Sequence, residues 1–395
     1  MKKLLKPLML TFLFFLVLRP TDCTSPAVSI EALLRTELEE ICIKHNLPGM
    51  TAAVVLDDGT AISVAWGMAD KEHIIPMRPQ SRMLAASIGK SFVAATCVAL
   101  AQEGVLDLDR PVVDWLGEYL WFDRLPNHDI ITLRQLLNHT SGLPDHVYEE
   151  QFARDFAENW NSPANPFLPE TLITYILDSK PMHLPGDGWS YSDTGYILAG
   201  LIIEEATGTG FYAEVISRFI KPIGLTCTSP SDRRDLEGLA SGHLAPDNPF
   251  GLPGKTTLEP GLMAWHPGIE WTGGGFISNP EDLARWFWYL FSPTSDFKHY
   301  GKEMLMAVPV SSHNSPVSCG LGVFIQRDTP FGLTYGHSGW IPGYRSSVQY
   351  YPEHGFAVAF QINTDYGFDG DPIEAFDEIK WRLAATHPAY HDVNQ

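Results

Sequence analysis

Ser87-Ile88-Gly89-Lys90 places a hydroxyl and an amine three residues apart. On a helix, positions i and i+3 share a face, so the two side chains can meet. A serine at a helix start sits where free N–H groups and the helix dipole favour developing negative charge. A desolvated Lys90 would have a lowered pKa and could take the serine proton. The chemistry is nucleophilic acylation of a serine. Spacing alone does not establish it. Ser295-Asp296-Phe297-Lys298 repeats the pattern in a polar, proline-flanked stretch that reads as surface, and serine is a common N-cap. Context separates the two. Lys90 is flanked by Ala85, Ala86, Phe92, Val93 and Ala94, a segment that reads as buried, where a lysine needs a reason.

Other chemistries lack their residues. Gly89-Lys90-Ser91 ends like a phosphate-binding loop, but Leu84 stands where that loop needs its first glycine. No Gly-x-Ser-x-Gly elbow occurs. No His-Glu-x-x-His, His-x-His-x-Asp or Cys-x-x-Cys occurs, so neither a metal nor another cofactor is expected. A formal net charge of −20 repels phosphate backbones and anionic membrane surfaces, so nucleic acid is not an expected partner. The expected partner is a small molecule or peptide.

The 395 residues are 45% hydrophobic and 19% charged, enough for one large domain or two intimate ones. Met1-Lys2-Lys3 and Lys6 precede an apolar run from Leu8 to Leu18. This reads as a signal peptide over residues 1–25, with an uncleaved anchor as the alternative. No stable membrane span is expected after processing, and the location is secreted or periplasmic. Cys23 raises lipidation, though Pro20-Thr21-Asp22 matches such a signal poorly. Cys42, Cys97, Cys227 and Cys319 remain, as disulfides or buried thiols.

The elements that must position Ser87 follow from periodicity. Leu34, Leu38 and Ile41 mark a helix over 31–45, stopped by Pro48-Gly49. Apolar runs at 50–56 and 61–66 flank Asp58-Gly59 and predict a hairpin. Helices are expected over 87–101, 132–138 and 195–206, the last ended by Gly208. Residues 245–271 read as a long ordered loop. Asn279-Pro280 caps a helix with Leu283, Trp286, Phe287 and Leu290 on its apolar face. Strands are expected at 321–326, 345–351 and 356–362, with a turn at Pro352-Glu353-His354-Gly355. Ile373, Phe376, Ile379 and Leu383 form the apolar face of a final helix. Strands at both ends and helices in the middle imply an α+β fold. Its antiparallel sheet is built from both chain ends, flanked by helices, with a large helical region inserted. The expected division is a sheet domain of 26–84 and 300–395, a helical domain of 85–299, and the active site between them.

Four segments, in order, resemble those of the penicillin-recognising serine enzymes: class C β-lactamases, DD-peptidases, D-aminopeptidases and related esterases. They are Met83-Leu84-Ala85-Ala86-Ser87-Ile88-Gly89-Lys90-Ser91-Phe92, Leu136-Leu137-Asn138-His139-Thr140-Ser141-Gly142-Leu143-Pro144, Pro185-Gly186-Asp187-Gly188-Trp189-Ser190-Tyr191-Ser192-Asp193-Thr194-Gly195-Tyr196, and Gly336-His337-Ser338-Gly339-Trp340-Ile341-Pro342-Gly343. The similarity runs from about residue 30 to about 390. Asn138-His139-Thr140 is formally a glycosylation sequon, but its place in the second segment implies a structural role.

The resemblance implies a β-lactamase/transpeptidase-like fold and roles for particular residues. Ser87 is the nucleophile and Lys90 takes or shares its proton. Tyr191 relays protons and protonates the leaving group, which requires a pKa below its free value. The backbone N–H groups of Ser87 and Trp340 form the oxyanion hole. His337-Ser338-Gly339, where many relatives carry Lys-Thr-Gly, helps bind substrate. His337 would meet a substrate carboxylate or polarise the Tyr–Ser network. Asp193 departs from the family's asparagine. A carboxylate cannot donate to an acylamino carbonyl, would raise the Lys90 pKa, and suits a substrate with a free amino group.

The implied activity is a serine hydrolase with an acyl-enzyme on Ser87, of the peptidase or amidase type (DD-carboxypeptidase or D-aminoacyl hydrolase). An esterase or a β-lactamase is the alternative within the family. A non-catalytic binding or scaffold protein that kept the fold is the alternative outside it. Aromatic residues at 145–180 and 245–271, among them Trp160, Phe167, Phe250, Trp265 and Trp271, are expected to wall the cleft.

Overall fold

The structure, a computed structural model, describes residues 26–248, 250–311 and 315–387. The signal-peptide segment, with Cys23, lies outside the described residues. Among them the main sheet has nine strands: β1 (Gly49–Val55), β2 (Ala61–Asp70), β3 (Ile75–Pro76), β4 (Val308–Pro309), β5 (Val317–Cys319), β6 (Phe324–Gln326), β7 (Thr334–Ile341), β8 (Tyr344–Tyr351) and β9 (Phe356–Ile362). Their spatial order is β3-β2-β1-β9-β8-β7-β6-β5-β4. The two chain ends therefore meet in mid-sheet, where β1 and β9 run antiparallel with Val54 opposite Val358. The β1–β2 hairpin turns at Asp58-Gly59. Asp58 accepts from the Thr60 N–H at 2.8 Å.

The helices that matter most to the site are α1 (Pro26–Lys44), α2 (Lys90–Gln102), α3 (Asp193–Thr207), α4 (Pro280–Phe291) and α5 (Pro372–Ala384). Alternation along β9 sorts its side chains. Phe356, Val358, Phe360 and Ile362 pack into one cluster with Leu34, Leu38 and Ile41 of α1 and Ile379 and Leu383 of α5. The small Ala357 and Ala359 face the other way, into the core that includes Leu283, Trp286 and Leu290 of α4. Small residues on that face let α4 approach β1, β8 and β9 closely.

Local signals explain the helix ends. Ser192 caps α3, its Oγ accepting from Gly195 N at 3.3 Å. The helix thus begins at Asp193, two residues before the sequence suggests, and Gly208 ends it with φ 63°. Asn279 caps α4, accepting from Asp282 N at 3.0 Å. Thr132 and Gln135 form a reciprocal capping box on a short helix, Leu133–Leu137.

Some expectations need correction. Residues 86–89 form a 3₁₀ turn, and α2 starts only at Lys90. The 245–271 segment contains a small hairpin, Thr257–Glu259 with Leu262–Met263. The strand expected at 321–326 begins at Phe324. Ser295 is buried, not surface. Its Oγ accepts from Phe297 N at 3.0 Å, while Lys298 points outward and donates to Pro293 O at 2.6 Å. Ile373 is 72% exposed, because it stands at the first turn of α5, ahead of the packed stretch. Asn138 is buried and accepts from Thr140 Oγ1 at 2.6 Å, so the sequon is a turn. Cys42, Cys97, Cys227 and Cys319 are free thiols. Burial raises Cys42 and Cys319 to about 12. Among the described residues no helix is long and apolar enough to cross a membrane.

Candidate active site

Ser87 stands in the 3₁₀ turn, directly after Ala86, whose φ of 49° is left-handed. A non-glycine residue there costs about 1 kcal/mol, and close packing holds it. On one side lies β7. A Cβ on Gly339 would come within 2.3 Å of Ala85 O, so only glycine lets this strand touch the nucleophile turn. Ser346 of β8 adds a hydrogen bond to Ala85 O at 2.8 Å. On the other side a Cβ on Gly274 would lie 2.4 Å from Ala86 O.

Lys90 is fully buried. Nζ donates to Ser87 Oγ at 3.2 Å and to Gly273 O, and forms an ion pair with Asp193 Oδ1. Burial pushes the Lys90 pKa down, but the Asp193 charge outweighs it and the net direction is up. Lys90 therefore rests as a cation with no lone pair to offer. Asp193 occupies the first turn of α3, where the helix dipole also favours its carboxylate.

Tyr191 hydrogen-bonds to both Ser87 and Lys90. The sequence led us to expect a lowered pKa. Instead burial raises it, and the lowering by Lys90 is too small to win because Asp193 pulls the other way. Tyr191 rests as a neutral phenol. His139 holds its ring, stacked at 4.2 Å between centroids. The His139 Nδ1 accepts from Ser192 N at 3.1 Å. Burial and then Lys90 keep this histidine neutral, well below its usual pKa.

His337 is buried, and its pKa falls to about 4 through burial and then the Lys90 charge. Its Nδ1 lies 2.6 Å from Ser338 O. A carbonyl only accepts, so Nδ1 carries the proton and Nε2 is an acceptor. A neutral imidazole is a weak partner for a carboxylate, which disfavours one of its two expected roles. Strand β6 pairs with β7 only across Thr334–Gly336. From His337 onward that edge has no strand beside it among the described residues. Trp340 is 45% exposed.

These groups meet in a cleft of about 810 Å³ lined by Ser87, Tyr191, Asp193, His337, Ser338, Gly339 and Trp340. The structure thus brings together the candidate catalytic and substrate-binding residues, with Lys90 directly behind Ser87. Phe152, Phe156, Phe250, Trp265 and Ile269 supply an apolar wall. Of the aromatics expected there, Phe250 and Trp265 line the cleft. Phe167 is buried behind Phe152 and Phe156, 5.7 Å from each, and Trp160 and Trp271 stand outside the lining.

Sequence reasoning missed two acids and a carbonyl. Asp145 lines the cleft, and burial followed by the Asp193 charge raises it to about 8. Glu270 lines it too, raised to about 7 by the same two causes in the same order. Gly273 offers only its backbone oxygen, which no side-chain pattern reveals. Elsewhere, Asp70, Glu72 and His73 gather like metal ligands. Lys255 already occupies that spot, 2.6 Å from Glu72 and 3.7 Å from Asp70.

The Beta-lactamase family model matches residues 30–378. Penicillin-binding protein 4* of Bacillus subtilis (strain 168) is 27% identical over 343 residues, covering 84% of this chain and 71% of that protein. Protein flp of Staphylococcus aureus (strain MRSA252) is 24% identical over 84% of this chain, which spans 63% of that protein. A D-stereospecific amidohydrolase from Streptomyces sp. superposes with a TM-score of 0.73 at 26% identity, over 90% of this chain and 97% of the other. D-amino acid amidase from Ochrobactrum anthropi SV3, complexed with L-phenylalanine, gives 0.72 at 25% identity, over 93% and 99%. With the family matched over nearly the whole described chain and the serine, lysine and tyrosine assembled in one cleft, this chain belongs to the β-lactamase family of serine hydrolases.

Proposed function

We propose that the protein is an amidase or peptidase whose Ser87 is acylated by an aminoacyl group bearing a free ammonium, of the D-aminoacyl type. The observation that carries this reading is electrostatic. Three carboxylates, Asp145, Asp193 and Glu270, line the cleft around Lys90, the cation whose charge reaches all three. Arg345 and Lys380 also line the cleft, but among the described residues Lys90 is the one cation acting on Glu270, and it is already paired with Asp193, so a substrate ammonium would offset the remaining acid. Two structural neighbours, a D-stereospecific amidohydrolase and a D-amino acid amidase, support the class and the stereochemistry.

The chemistry follows from the protonation states. Ser87 Oγ attacks the amide carbon. The Ser87 proton moves to Tyr191 Oη as the Tyr191 proton moves to the leaving nitrogen. Tyr191 is neutral before and after, so no free phenolate forms. Lys90 keeps its charge throughout and stabilises the oxygen of Ser87. The backbone N–H groups of Ser87 and Trp340 face the developing oxyanion, each worth about 3–4 kcal/mol. Water then attacks the acyl carbon, its proton passing to Tyr191 Oη as the Tyr191 proton passes to Ser87 Oγ, which leaves. Secretion, expected from the N-terminal segment, would suit a wall-derived or extracellular substrate.

Turnover of D-alanyl amide against its N-acetylated form tests the reading. Faster turnover of the free amine supports it, and a preference for the acetylated form refutes it. Labelling with a fluorophosphonate and a fluorescent penicillin, beside Ser87→Ala, separates the alternatives. Labelling by both, lost in the variant, favours a penicillin-recognising peptidase. Labelling by the fluorophosphonate alone favours an aminoacyl hydrolase or esterase.

A further inference from the structure

The three carboxylates of the cleft are not equivalent. Asp193 is committed to Lys90 through Oδ1. Asp145 is nearly fully buried and accepts from the Val147 N–H at 3.2 Å. Glu270 differs from both. Its backbone N–H donates to Pro267 O at 3.1 Å. Its carboxylate has no hydrogen-bond or ion-pair partner among the described residues, and only the charges of Asp193 and Lys90 act on it.

Its setting makes that costly. Glu270 follows Pro267–Ile269 and precedes the helical turn Trp271–Gly274. Its neighbours in the lining include Trp265 and Ile269, which cannot solvate a charge. Glu270 is only partly buried, yet apolar walls and the like charge of Asp193 disfavour its ionised form until a cation arrives. The segment is also fixed relative to the chemistry. Three residues on, Gly273 O binds Lys90, and Gly274 packs on the nucleophile turn. A ligand held by Glu270 is thereby registered against Ser87. The proton shuttle above uses Ser87, Lys90 and Tyr191 and leaves Glu270 without a task.

We infer that Glu270 is the specificity-determining residue that receives the substrate ammonium, while Phe152, Phe156, Phe250 and Trp265 receive an apolar side chain of the same amino acid. This rests on the aminoacyl reading and sharpens it. The ammonium receptor is Glu270 and not Asp193, and the preferred acyl group is a hydrophobic amino acid with a free amine.

The test compares wild type and Glu270→Gln on D-phenylalanyl amide and N-acetyl-D-phenylalanyl amide. The expected result is that the wild type prefers the free amine and that E270Q reduces this preference at least tenfold, through KM. About tenfold is the lower end for a hydrogen bond to a charged group. An unchanged preference in E270Q, with the wild type still favouring the free amine, overturns the role of Glu270 and leaves the aminoacyl reading intact. A wild type that favours the acetylated amide overturns both.

If E270Q fails to fold, the wild type still tests whether the cleft receives an ammonium beside an apolar group. 2-Phenylethylamine should compete with a nitrophenyl ester at least tenfold more tightly than 2-phenylethanol, again the worth of one charged hydrogen bond. Equal inhibition by the two overturns the inference.

Discussion

The two faces of the main sheet solve opposite problems. On the outer face, Leu34, Leu38 and Ile41 of α1 meet Phe360 and Ile362 of β9 and Ile379 and Leu383 of α5, all at or below 1% exposure. Charges there stay at the rim, as in Lys44 with Glu378 and Arg382 with Glu37 and Glu40. On the inner side the chain buries Lys90, Asp145, His139 and His337. These groups stay near neutral net charge only through one ion pair and shifted pKa values. The outer face is built for stability, and the inner face gives up stability for chemistry.

The comparison can be broken at several points. Ser87→Ala should lower turnover by about 10⁴-fold or more, with unfolding by urea little changed. A comparable loss of stability would mean that the nucleophile turn is a structural element first. Leu38→Ala on the outer face should do the reverse. It should cost about 2–5 kcal/mol in urea unfolding while kcat/KM stays within about twofold.

Acidity tests the same contrast through stability. Asp145 is raised to about 8, against about 4 in the unfolded chain. The native state then holds this proton more tightly. Its stabilising effect is present below about pH 4 and is lost as pH rises through about 8. Asp70, at the β2 end, behaves oppositely. Burial would raise it, but hydrogen bonds from His73 and the Lys255 charge bring it to about 2. Its contribution is present above about pH 4 and disappears as pH falls through about 2. Asp145→Asn should therefore narrow the difference in Tm between pH 5 and pH 8, because asparagine carries no charge to penalise. An unchanged difference would place the cost elsewhere.

The smallest expected effect concerns Asp193. Asp193→Asn supplies an amide that can donate to an acylamino carbonyl. The ratio of N-acetylated to free-amine turnover should rise by about tenfold, the worth of roughly one hydrogen bond. An unchanged ratio, with both turnovers reduced, would show that the Asp193 charge serves only to anchor Lys90.

Sequence alone singled out the candidate chemistry-bearing residues and outlined the fold. Ser87 and Lys90 were legible as a Ser-x-x-Lys pair in an apolar segment, and Tyr191 and His337 only because their segments resemble those of a known family. Helix ends at Asn279 and Gly208 were legible because capping is local. The meeting of β1 with β9 followed from strands at both chain ends. What stayed hidden depends on groups distant in sequence. The Lys90 charge is set by Asp193, 103 positions away, and by Gly273 O, 183 positions away. The Tyr191 shift reversed the expectation because burial, which no motif encodes, outweighed a neighbouring cation. Glu270 lay in a stretch with no periodicity to mark it, and only folding brought its unpaired carboxylate to the cleft. Motifs specify which atoms can react, and the tertiary structure decides the protonation state in which they wait, because desolvation and charge act through space and not along the chain.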